Sequence, residues 1–180
     1  MPISNDVLES QIESLRFLLR SPDLQLFARS EWGSNNPEYR NFIKAALQEV
    51  NVDSYLQHSI SHTHELGAIA LSSSAIGVDV ELSARVTEAP VARVSSREEV
   101  KAAPSPVSLW CAKEAAFKAL KSYDQPSVLS KISIGEWQKI DSQTETFRLI
   151  NASAFNAPSE GRGVIKHLSA HTLGFFIFCS

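Results

Sequence analysis

No run of 18 apolar residues occurs in this chain, so no segment has the length that a membrane-spanning helix needs. Runs of lysine and arginine are also missing. The net charge is −3 and the pI is near 6.0, so nothing in the charge balance calls for a nucleic-acid partner. The first residues lack a basic region followed by a short apolar run, and no secretory signal is expected. Cysteine is scarce: Cys111 and Cys179 do not form a metal-binding spacing, and Cys111 reads as the reduced thiol of a cytoplasmic protein. Low-complexity tracts and long repeats are absent. What is present is 180 residues, 43% of them apolar, enough for one compact unit or two small lobes.

In chain order, the spacing of Leu8, Ile12, Leu15 and Leu19 predicts an amphipathic helix from Asn5 or Asp6 to Arg20, with Asp6 and Glu9 as a capping box. Residues 24–36 are ambiguous up to the loop at Gly33–Pro37. A second helix is expected from Glu38 to Val50, burying Phe42, Ile43, Ala46 and Leu47. Strands follow at Tyr55–Ser61, Leu66–Ser72 and Ala75–Leu82. Residues 83–106 read as a connector with one short helix at 96–102, whose Arg97, Glu98 and Glu99 form a solvated face. After a helix over 107–122, a meander is expected: Lys131–Ile134, Gly135–Ile140, Glu145–Ala152, Val164–Leu168 and Thr172–Cys179. The segment from His64 to Leu71 is echoed from His171 to Phe178, with three identities, which fits a duplicated pattern.

Two stretches carry chemistry. In Gly77-Val78-Asp79-Val80-Glu81, alternation turns both carboxylates to one face of a strand, where they repel unless a cation or proton lies between them. In the helix from Trp110 to Leu120, Glu114 and Lys118 share a face at i, i+4. Three carboxylates and an ammonium make a plausible Mg²⁺ site for phosphate chemistry, with Asp79, Glu81 and Glu114 as ligands. A solvent-facing strand and a surface Glu–Lys pair are the plain alternatives for each stretch taken alone.

Taken together, GVDVE and W-x-x-K-E-A-x-x-K-A resemble the two signature segments of the 4′-phosphopantetheinyl transferases, in the Sfp-like branch. Ser59-Ile60-Ser61-His62-Thr63 matches that branch's Ser-His segment, and Ser95–Glu99 lies where an F-[ST]-x-x-E segment is usual. The resemblance implies an α+β fold of two pseudo-symmetric α/β lobes, each a mainly antiparallel sheet packed on a helix. The lobes would span 1–75 and 76–180, with the site in the seam and a monomer as the working unit. It further implies transfer of the phosphopantetheine arm of coenzyme A to a serine of an acyl or peptidyl carrier protein, with Mg²⁺ as cofactor. Glu114 and Lys118 would be catalytic. Ser61, His62, Lys113 and Lys118 would contact coenzyme A, Lys113 either reaching the substrate or pairing with a carboxylate. Trp110 and Phe117 read as core or pocket wall, and His58, His64, His167 and His171 as structural.

The chain departs from the family where Lys118-Ala119-Leu120-Lys121-Ser122 replaces a Gly-x-Gly turn, so the helix should run longer. Its first lobe is short and lacks a Gly-Lys-Pro segment, leaving Arg16, Arg20, Arg29, Arg40 and Lys44 as candidates for the 3′-phosphate. Two other readings compete: a non-catalytic binder of coenzyme A or a carrier protein, and a Mg²⁺-dependent nuclease, against which the acidic balance speaks.

Overall fold

Strands dominate the architecture, and a single long helix lies across the larger sheet. The computed structural model describes residues 14–49 and 57–178. Helix α1 (Leu15–Leu19) leads into strand β1 (Gln25–Arg29), which settles the segment that was ambiguous in sequence. Helix α2 (Tyr39–Glu49) and strands β2 (Gln57–His62) and β3 (Gly67–Ser72) complete the first half. Strand β4 (Ile76–Leu82), helices α3 (Glu88–Val94) and α4 (Arg97–Ala102) and the long α5 (Pro106–Ala119) follow. Strands β5 (Ile134–Lys139), β6 (Thr144–Leu149), β7 (Gly161–His167) and β8 (His171–Phe178) close the chain.

The strands form two antiparallel sheets, β1-β3-β2 and β4-β8-β7-β6-β5. The two sheets part between β3 and β4. They nevertheless share a core. Leu26 and Ala28 of β1 and Ala68 and Ala70 of β3 pack in one cluster with Val78 and Val80 of β4 and Phe175 and Ile177 of β8. Alternate residues face outward. Ile69 and Leu71 meet Ile43 of α2, while Phe176 and Phe178 meet the alanine face of α5. The echo takes physical form here: Ala68 and Phe175, and Ala70 and Ile177, belong to the shared cluster from two fully buried strands, and Leu66, just before β3, joins it with Leu173.

Helix α5 lies close on its sheet because two strand residues lack side chains. A Cβ on Gly77 would run into the carbonyl of Ala115, and one on Gly174 would stand 2.6 Å from the carbonyl of Cys111. Cys111, Ala115 and Ala119, at i, i+4 and i+8, are the helix face that fits there, all of them buried. Pro106 at the helix start and the Ser105 hydroxyl, which accepts the Ser108 N–H at 3.1 Å, fix its N-terminus. The helix gives way to a 3-10 turn over Leu120–Ser122, so the longer helix expected from the missing Gly-x-Gly ends in a tighter turn.

Several expectations are corrected. Phe42 stays 46% exposed, because α2 buries only a stripe through Ile43. Lys131 belongs to a 3-10 turn (Leu129–Lys131) instead of a strand, and Ala152 begins another (Ala152–Phe155). The connector holds two helices, and its capping box is formed by Ser96 and Glu99. The capping box expected at Asp6, the helical residues before Ser14, and Tyr55 lie outside the described residues. No described helix is long and apolar enough to cross a membrane.

Candidate functional site

The site starts at the seam between the sheets. Strand β2 runs beside β4, and serine side chains bridge the two where backbone carbonyls would in a ladder. Ser59 Oγ accepts the Val78 N–H at 3.0 Å, and Ser61 Oγ accepts the Val80 N–H at 3.2 Å. The Ser61 hydroxyl then donates its proton to Asp79 Oδ1 at 3.0 Å. Lys118 reaches the same oxygen from α5 at 2.8 Å and also donates to the Val78 carbonyl at 2.9 Å. Three elements far apart in sequence thus meet on Asp79, which is only 4% exposed.

Odd-numbered residues of β4 face α5, as the alternation predicts. The facing stripe of α5 is Trp110, Glu114 and Lys118, at i, i+4 and i+8. Trp110 Nε1 donates to Glu81 Oε1 at 3.0 Å and Lys118 pairs with Asp79, which leaves Glu114 between the two contacts. Glu114 makes no hydrogen bond among the described residues. Burial, then the Asp79 charge, push its carboxyl above the ordinary glutamate value, with Lys118 opposing. Glu81 is raised by burial and by Asp79, while the bond from Trp110 opposes. Three carboxylates therefore sit within electrostatic reach of one another, and one lysine offsets them.

The residues suit a hard divalent cation in part. Asp79 Oδ2 is buried and, among the described residues, makes no hydrogen bond within ordinary geometric limits, an acceptor that is costly to leave unsatisfied. Both raised glutamates would also be relieved by positive charge. Among the described residues no three His, Cys, Asp or Glu side chains are grouped to hold a metal, so Asp79, Glu81 and Glu114 do not form the three-ligand set expected from sequence. Mg²⁺ usually takes one or two carboxylates and fills its octahedron with water and substrate oxygens. Asp79 with Glu81 or Glu114 would be the pair for such a site.

An open cleft of about 560 Å³ borders this cluster, lined by Ser61, His62, Asp79, Glu81, Arg85 and His171 among others. His62 is exposed and its ring lies against Tyr39. His171, read from sequence as structural, ties the two halves together: its Nε2 lies 3.2 Å from Thr63 Oγ1. Burial holds its imidazole below the ordinary histidine value, opposed by Glu65. His64 also lines the cleft. Arg85 is exposed, forms no ion pair among the described residues, and follows Glu81 by one turn of chain. Neither Arg85 nor His171 belongs to a sequence motif, although the echo of His64 in His171 was a signal. Of the basic residues considered for a 3′-phosphate, Arg29 pairs with Glu31 and Arg20 borders a different groove, whereas Arg40 stacks on Tyr39 beside the cleft.

Two assignments change. Lys113 does not reach the cleft: it is fully buried, donates to the Ile132 carbonyl, and pairs with Glu99 Oε1 at 2.8 Å. Of its two possible roles, pairing with a carboxylate is the one realised, and Glu99 is no solvated residue. Ser61 stands at the cleft, where its hydroxyl donates to Asp79 and positions that carboxylate. At the other end of α5, Ser108 donates to Glu145 Oε2 at 2.8 Å, and His167 lies 3.4 Å from Glu145 Oε1 and 3.1 Å from Thr172 Oγ1. This buried polar network anchors the helix end that carries Trp110.

No protein-family model and no curated protein matches this chain.

Proposed function

We propose that this chain transfers the 4′-phosphopantetheine arm of coenzyme A to a serine of an acyl or peptidyl carrier protein, releasing adenosine 3′,5′-bisphosphate. The observation that carries the reading is Asp79: a buried carboxylate beside a cleft, one oxygen held by Lys118 and Ser61 and the other without a partner. Asp79 with Glu81 or Glu114 would hold Mg²⁺, which when bound neutralises pyrophosphate charge.

The chain's own groups supply the rest. In the transfer, the carrier serine oxygen bonds to the phosphorus bearing the arm. The bond from that phosphorus to the bridging oxygen breaks, and the bridging oxygen leaves on the 5′-phosphate of adenosine 3′,5′-bisphosphate. Glu114, which makes no hydrogen bond among the described residues and has a raised carboxyl pKa, accepts the serine proton. Lys118 spends two N–H groups on Val78 and Asp79, and its third is free to meet charge developing on the leaving oxygen.

The test is to incubate the protein with coenzyme A, Mg²⁺ and apo-carrier proteins and weigh the carriers. A mass gain equal to the arm is expected. Bound coenzyme A with unchanged carriers would reject transfer in favour of a non-catalytic binding role. Both sides of the seam lie in one chain, so light scattering is expected to give a monomer mass near 19.8 kDa.

A further inference from the structure

Three planar side chains are in contact in series where α2 meets the end of β2. The Arg40 guanidinium carbon lies 5.5 Å from the centroid of the Tyr39 ring, and Arg40 Nε donates to the Tyr39 hydroxyl at 3.0 Å. The Tyr39 ring in turn lies 4.8 Å from the His62 ring, tilted by 38°. Arg40 and His62 are exposed and Tyr39 is half-buried. Surface side chains are ordinarily free to sample rotamers, and ordering them carries an entropic cost. Here Arg40 steadies Tyr39 by a hydrogen bond and a cation–π contact, and Tyr39 steadies His62. One face of the imidazole is covered by this support. His62 is exposed and is one of the residues that line the cleft, where a ligand could meet it.

Charge alone serves an anionic ligand poorly at this cleft. Asp79, Glu81 and Glu65 line it against the single guanidinium of Arg85. A nucleotide held there gains from a contact that does not depend on charge, and an aromatic face against a base is such a contact.

We propose that His62, held by Tyr39 and Arg40, is a stacking platform for a nucleobase, placing the base end of the ligand at the mouth of the cleft and its phosphates toward Asp79. The inference rests on the proposed transferase reading and deepens it: His62 engages the base through its ring face, in place of a phosphate contact through its nitrogens.

The test is calorimetric titration, with Mg²⁺ present, of coenzyme A, adenosine 3′,5′-bisphosphate and inorganic pyrophosphate into wild type, His62→Phe, His62→Ala and Tyr39→Leu. His62→Phe keeps a ring without nitrogens and is expected to retain nucleotide affinity within about threefold, whereas His62→Ala loses about tenfold or more. Tyr39→Leu is expected to weaken both nucleotides by a smaller factor. Pyrophosphate, which has no base, should bind all four proteins alike. If His62→Phe is as weak as His62→Ala, or if pyrophosphate weakens with them, the ring is a phosphate contact and the proposal is overturned. Unchanged nucleotide affinity in His62→Ala overturns it too, as does failure of the wild type to bind either nucleotide. Ring-dependent nucleotide binding by a protein that modifies no carrier would sustain the platform and reject the transferase reading alone.

Discussion

Lys113 and Lys118 leave one helix, α5, for opposite kinds of surroundings. Around Lys113 every group is matched. Its ammonium meets the Ile132 carbonyl and Glu99, while Glu99 also accepts the Ile134 N–H at 2.9 Å and the Ser96 N–H at 2.9 Å. Burial alone would raise the Glu99 carboxyl, but these bonds outweigh it and hold it below the ordinary glutamate value. Burial pulls the Lys113 ammonium down, and Glu99 opposes. Around Lys118 the matching is incomplete among the described residues: Asp79 keeps an oxygen without a hydrogen bond, Glu114 makes none, and 27% of the lysine side chain reaches solvent. A saturated ion pair ties elements together. One left short of partners at a cleft has capacity for a ligand.

The difference is open to direct attack, beginning with the largest effect. Lys113→Met strands the Glu99 charge among buried groups, and breaking such a pair costs about 3–5 kcal/mol. Urea unfolding should show a loss of that order, and one of only about 0.2–1 kcal/mol would mean the pair behaves as an exposed one. The acid limb carries a second signature. Because the folded Glu99 pKa is depressed, its contribution is present above the unfolded pKa and lost as pH falls through the folded one. Wild type should therefore lose stability below the ordinary glutamate range more steeply than Lys113→Met.

Lys118→Met should act on function and fold together. Transfer is expected to fall by about 10²–10³. Stability should fall by about 1–3 kcal/mol, since Asp79 retains Ser61 but loses its cation. Added Mg²⁺ should restore part of that stability, because a second cation can take the place of the ammonium. Wild-type turnover in this variant would reduce Lys118 to a structural pair like Lys113.

Asp79→Asn keeps the volume and the Ser61 contact while removing charge. The expected outcome in a thermal melt is loss of any Mg²⁺-dependent rise in Tm, together with loss of transfer. A Tm rise equal to that of wild type would take Asp79 out of the metal site.

The smallest effect concerns the two raised glutamates. A carboxyl whose folded pKa is raised favours folding below its unfolded pKa, and that advantage is lost as pH rises through the folded value. Glu114→Gln should thus melt slightly higher than wild type near neutral pH and show a flatter profile between the unfolded and folded glutamate pKa values. An identical profile would mean that Glu114 is not crowded by Asp79.

Much of the site was readable in the chain because it depends on local periods. Strand alternation puts Asp79 and Glu81 on one face wherever β4 lies, and the helical repeat lines up Trp110, Glu114 and Lys118. Where the local backbone departs from its period, the reading slipped. Strand β5 has a register shift between Gly135 and Gln138, with Glu136 at φ 52°, and the separate strand expected at Lys131–Ile134 is replaced by the end of a 3-10 turn leading into β5.

The sequence by itself determined an α+β chain, a carboxylate pair on a strand, and a helix presenting a glutamate and a lysine at matching spacing. Those features follow from residue type and from backbone geometry over a few residues. Tertiary structure decided what each group meets. It set β2 beside β4, so that the Ser61 proton goes to Asp79, and it laid α5 on Gly77 and Gly174, close enough for Lys118 to reach that carboxylate. It also turned Lys113 inward, because α4 and the turn before β5 cover that side of a helix buried on most of its circumference. A side chain's role in such a helix depends on which distant segment packs beside it, and that contact has no local period to announce it.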